Sequence, residues 1–133
     1  MNRFLSSLLL VALVCGGCAE QENDAWQASY EPPWAAATQC WAHVPAERVH
    51  VVVKSDCKPG EDGRLRFLGK TERGVEWIVG LQSGPWVYVC EDYTRYGVDG
   101  IDLLRHEMSH YVCEDKLGDY GPRCRNYTGE CWL

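Results

Sequence analysis

The chain begins with a short positive start, Met1-Asn2-Arg3, followed by an apolar run from Phe4 to Val14. That run is too short to cross a bilayer as a stable helix and reads as an export signal outside the fold. From Ala19 to about Thr38 the pattern loses its period and becomes polar, then rich in Pro and Ala ("QENDAWQASYEPPWAAAT"), which predicts a tether. The expected layout is a signal over 1–17, a tether over 18–39 and one folded domain over 40–133, beginning near Cys40.

Within the domain the pattern first alternates with a period of two. "RVHVVV" (48–53), "GRLRFL" (63–68), "VEWIVG" (75–80) and "WVYVC" (86–90) are rich in β-branched and aromatic residues and predict strands. "KPGEDG", "GKTERG" and "QSGP" lie between them and carry turn chemistry, so hairpins joined into a small, mostly antiparallel sheet are expected. After "EDYTRYGVDG" the period lengthens to that of a helix. Ile101, Leu104, Met108, Tyr111 and Val112 fall on one side of a helix placed at about 101–117, with Asp99 or Asp102 as its cap and Gly118 as its stop. The fold class is therefore α+β, a small sheet packed on one principal helix.

Length and composition narrow the function. A chain of 133 residues holds one small domain, and a net charge of −6 with no Lys/Arg cluster argues against a nucleic-acid partner. Of the eight cysteines, Cys15 lies in the signal segment. The stretch "VCGGCAE" resembles the lipobox of bacterial lipoprotein signal peptides, although the position three before the cysteine, usually leucine, is here Cys15. The resemblance implies that Cys18 is the lipidated first residue of the mature chain. Cys40, Cys57, Cys90, Cys113, Cys124 and Cys131 remain, an even set in an exported chain, and predict a domain stapled by three disulfides. Their pairing is open. A Cys113–Cys124 bridge is one option and would close a loop around Asp119.

The candidate chemistry lies in "GIDLLRHEMSHYVCEDKLGDYG", residues 100–121. On a helix His106 and His110, four residues apart, project from one face and can reach one ion, with Glu107 on a neighbouring position. "HEMSH" resembles the HExxH signature of the zincin metallopeptidases. The resemblance implies that His106 and His110 bind Zn2+ and that Glu107 is the general base toward a metal-activated water. It also implies a sheet whose edge strand holds an extended peptide beside the helix.

A catalytic zinc needs a third protein ligand. The metzincin continuation is absent, because Cys113 and Lys116 stand where Gly and His are required. Asp119, just past Gly118 in "GDYG", resembles the aspzincin arrangement in part and is favoured. Glu130, at a gluzincin-like spacing, is the alternative. Tyr120, beside Asp119, is the preferred oxyanion donor over Tyr93 and Tyr127. His43 and His50 belong to no ligand-spaced pair.

Together these features describe a disulfide-stapled, zincin-like peptidase. It would act on a peptide or protein substrate, be exported, and be anchored at the cell envelope through a lipid on Cys18, the alternative being cleavage nearby and free secretion. The competing reading is a non-catalytic envelope lipoprotein with a vestigial or structural metal site, its sheet serving as an interaction surface. The small domain, with little material to wall a cleft, is the argument for that second reading.

Overall fold

The computed structural model describes residues 21–22, 25–94, 98–118 and 122–125. Among these, the strands are β1 (Gln21–Glu22), β2 (His50–Lys54), β3 (Lys58–Pro59), β4 (Leu65–Thr71), β5 (Gly74–Ile78), β6 (Gly80–Ser83) and β7 (Trp86–Cys90). The α-helices are α1 (Glu31–Trp41), α2 (Val98–Leu117) and the short α3 (Pro122–Arg125). The architecture is α+β, as the change of period predicts.

The strands form two sheets rather than one. The first has the order β1-β2-β7-β6 and the second β3-β4-β5. All pairings are antiparallel except β2 with β7, which run parallel from His50↔Trp86 to Lys54↔Cys90. The parallel pair arises because a whole hairpin, β4 and β5, is inserted between β2 and the β6–β7 hairpin. Disulfide Cys57–Cys90 joins the chain just after β2 to the end of β7. The Tyr93 hydroxyl accepts the Leu65 N–H at 3.0 Å, tying the inserted hairpin to the segment that leads into α2.

The largest departure from expectation is α1, which falls mostly inside the segment expected to be tether. Prolines 32 and 33 stand in its first turn, where a missing amide proton costs no helical hydrogen bond. Its inward residues are core: Tyr30, Trp34 and Ala37 are 1 %, 7 % and 0 % exposed. Trp34 stacks on Tyr111 of α2, with Trp26 edge-on to both Tyr30 and Trp34. The helix ends at Ala42 in the left-handed conformation (φ 50°), where Ala42 N–H donates to Gln39 O and His43 N–H to Thr38 O. Lys116 Nζ donates to Trp41 O, and His43 Nε2 lies 2.7 Å from Asp115 Oδ2, so the C-terminal ends of α1 and α2 are latched together.

The core lies between these helices and the first sheet. Val51 and Val53 of β2 share a face with Val87 and Val89 of β7 by register, and they pack with Leu104, Met108, Tyr111 and Val112 of α2. Burying a side chain of this kind contributes about 1.5–3 kcal/mol. The helical stripe read from the sequence is thus the buried stripe, apart from Ile101, whose side chain lies outside the described residues. Arg105, Glu107, Ser109 and Cys113 are buried as well, so the middle of α2 is enclosed on nearly every side.

Candidate metal site

α2 carries both histidines in its enclosed middle. His106 Nε2 and His110 Nε2 are 3.1 Å apart, with the rings edge-to-face. The contact is a ring-to-ring hydrogen bond, and its length is close to the roughly 3.3 Å between two nitrogens bound tetrahedrally to one zinc at about 2.0–2.1 Å. The tautomer suits a ligand too. His110 Nδ1 lies 2.6 Å from Cys124 O, and because a carbonyl only accepts, Nδ1 carries the proton and the Nε2 lone pair is left facing His106.

Electrostatics favour the neutral donor forms. Burial first, then neighbouring His110, pulls the His106 pKa down to about 4. Burial also lowers that of His110, against the opposing influence of the Cys124 carbonyl. Both rings are therefore uncharged at neutral pH, the form a metal requires. Glu107 lies against them, with Oε1 4.0 Å from His106 Nε2. It is only 7 % exposed, and burial pushes its pKa up to about 8. A carboxyl removed from water, with no lysine or arginine pairing with it among the described residues, is held in its neutral form at an energetic cost, an arrangement more typical of working sites than of inert helix faces.

β6 covers Glu107. It is the edge strand of the four-stranded sheet, and a Cβ built on Gly80 would lie 3.0 Å from Glu107 Oε1 and 3.1 Å from Leu103 Cδ1. A side chain here would make Glu107 or Leu103 give way by a few tenths of an ångström. Further along β6, Gln82 Nε2 donates to Glu114 Oε2 at 2.8 Å, fixing the strand along the helix.

Disulfide Cys113–Cys124 brings α3 against α2 and so places the carbonyl that holds His110. Cys40 is also disulfide-bonded. Gly118 adopts the left-handed conformation (φ 66°), and its N–H donates to Glu114 O at 2.8 Å, ending α2 where the sequence places the stop. Asp119, Tyr120, Tyr127 and Glu130 lie outside the described residues, so the expected third ligand, its alternative and the preferred oxyanion donor are not positioned. Among the described residues no three metal-binding side chains gather. The Tyr93 hydroxyl accepts from Leu65 in the hairpin contact described above. Gly80 and the Cys124 carbonyl carry no side-chain signature in the sequence, and only the fold brings the one to Glu107 and the other to His110. Set against known protein families, curated proteins and solved structures, the chain matches none.

Proposed function

We propose that the protein is a zinc-dependent peptidase in which His106 and His110 hold the metal and Glu107 is the general base. The observation that carries this reading is the meeting of two neutral, mutually facing Nε2 atoms with a buried carboxyl beside them. Zinc bound there would polarise a scissile carbonyl, acidify a water and favour the ionised form of Glu107.

This chain's own groups account for the remaining roles. Glu107 takes the proton of the attacking water and returns it to the departing amine. β6, an edge strand among the described residues with Gly80 against Glu107, would take an extended peptide along its outer side and bring its bond to the carboxyl. Asp119 is the third ligand in this reading. It follows the reversal at Gly118 and belongs to the loop closed by Cys113–Cys124, whose carbonyl already touches His110. Tyr120 beside it would steady the developing oxyanion.

The two disulfides between described residues are those of an oxidising compartment, in keeping with export. No helix among the described residues is long and apolar enough to cross a membrane. Attachment through a lipid on Cys18 belongs to the same proposal. The experiment is zinc titration and peptide hydrolysis with the oxidised protein and Glu107→Gln. The variant should keep zinc and lose hydrolysis. Failure of the unsubstituted protein to bind zinc at micromolar concentration would sink the reading. Retained zinc with no hydrolysis by either protein would favour the non-catalytic lipoprotein.

A further inference from the structure

Three of the five exposed large apolar side chains among the described residues, Leu68, Val75 and Trp77, lie on the inserted hairpin, at 47 %, 69 % and 45 % exposure. Register puts them on one face. Leu68 pairs with Trp77, Lys70 with Val75, and Lys58 with Arg66, while Phe67, Gly69 and Ile78 take the opposite side. Lys58 Nζ lies 5.8 Å from the Trp77 ring centroid, which ties all three strands of this face together. None of its strand positions is acidic. Glu76 lies opposite Gly69 on the inner side, and Asp62 of the adjoining turn is paired with Arg66 at 2.6 Å. A chain of net charge −6 thus presents one surface that is apolar, carries an indole and is flanked by the cations Lys58 and Lys70.

We propose that this face, formed by Lys58, Leu68, Lys70, Val75 and Trp77, docks on an anionic lipid surface. Indole and aliphatic groups settle at the boundary between headgroups and acyl chains, and lysines beside them meet anionic headgroups. Chain length agrees with this. Gln21 pairs with Val53, so the chain enters β1 from the end of β2 that leads on to Lys58. Cys18 precedes Gln21 by only three residues, a reach of about 10 Å when extended. A lipid there would keep the Lys58 end of the hairpin close to the bilayer. This second argument rests on the reading of Cys18 as lipidated, whereas the charge and aromatic pattern does not.

The test uses the exported, oxidised protein with vesicles of phosphatidylcholine alone or with about a third phosphatidylglycerol. Quenching by lipids brominated in their acyl chains is read for Trp77 as the difference from Trp77→Phe. With phosphatidylglycerol present, Trp77 should be quenched by the bilayer and shielded from aqueous iodide. Lys58→Gln with Lys70→Gln should weaken this partitioning about tenfold or more, as should high salt. The proposal is overturned if Trp77 stays open to iodide on anionic vesicles, if the lysine pair makes no difference, or if Trp77 is shielded without vesicles because two copies associate. Mass spectrometry reads the anchor separately. An unacylated Cys18 with intact quenching removes the anchor and supports the docking face on its own.

Discussion

His110 Nδ1 sits 2.6 Å from the carbonyl oxygen of Cys124, and Cys124 is bridged to Cys113, three positions beyond that histidine on the same helix. The disulfide and the ring orientation are one mechanical unit, because the bridge holds the acceptor that fixes the tautomer. Substituting both cysteines by serine should weaken zinc binding about 10- to 100-fold, the usual effect of losing a partner that orients a ligand. It should also lower stability by about 3 kcal/mol through the reopened loop. Calorimetric zinc titration and a denaturation curve read the two effects separately. Unchanged zinc affinity in the double variant would detach the bridge from the site.

The pH dependence of the metal-free protein should carry the mark of Glu107. Its pKa is raised from 4.5 to about 8 on folding, so its contribution is fully present below 4.5 and is lost as pH rises through 8. His106 acts in the opposite sense. Its pKa falls from 6.5 to about 4, so its contribution is present above 6.5 and is lost as pH falls through 4. The two oppose one another below 6.5, which leaves Glu107 to dominate between 6.5 and 8, at up to about 1.4 kcal/mol per pH unit. The melting temperature of the metal-free protein should drop across that window, and Glu107→Gln should flatten the drop. A profile identical in both proteins would refute the assignment.

Gly80→Ala should damage hydrolysis more than folding. The added methyl meets Glu107 Oε1 and Leu103 Cδ1 at 3.0 and 3.1 Å, so the carboxyl must swing away or β6 must lift. Overpacking of this kind costs about 1–3 kcal/mol. The expected result is a folded protein that keeps zinc and has lost most of its peptide hydrolysis, read from zinc titration and a peptide assay side by side. Full activity in the variant would show that β6 need not lie so close to the base.

The third ligand is decided by paired substitutions. Asp119→Ala should weaken zinc binding while Glu130→Ala leaves it nearly intact, because Asp119 follows directly on the reversal at Gly118. The reverse outcome in zinc titrations would move the assignment to Glu130.

Trp34→Ala should destabilise the protein by about 3–5 kcal/mol, the cost of deleting a large core aromatic. A dispensable tether would show almost no change in the denaturation midpoint, so this measurement separates the helical residues 31–41 from the linker that their composition suggests.

Strands β2, β4, β5 and β7 and helix α2 are legible in the sequence because their residues keep a regular period, whereas β1, β3 and most of β6 fall in stretches read as tether or turn. Leu104, Met108, Tyr111 and Val112 repeat as the helix turns, and the valines of 86–90 alternate as β7 pleats. α1 escaped for physical reasons. Its prolines stand where helices tolerate them but look like breakers, its alanines pack without a strong apolar contrast, and its stop is Ala42 in a conformation usually given to glycine. The parallel β2–β7 pair was equally hidden, since local alternation says nothing about which distant strand becomes the neighbour. "GKTERG" and "QSGP" read as turns throughout, yet Thr71 and Gln82 are strand residues and only Glu72–Arg73 and Gly84–Pro85 reverse the chain. At the site, the spacing of His106, Glu107 and His110 is a sequence property. Burial of the glutamate and the backbone carbonyl on His110 are properties of the assembled core.

The parallel pairing of β2 with β7, bridged by Cys57–Cys90 across a sequence separation of 33, also sets an order of assembly. The hairpins β4–β5 and β6–β7 join near neighbours in the chain and can zip within microseconds. The parallel pair must also close a longer loop, at a modest entropic cost, and in an oxidising compartment acquire its bridge, a step of seconds or longer. α2 follows β7 in the chain and needs the finished sheet to enclose it. Leu104 and Met108 are buried against Val51, Val87 and Val89, so the enclosure of the helix that carries the histidines and the slow covalent closure of Cys57–Cys90 converge on the same two strands.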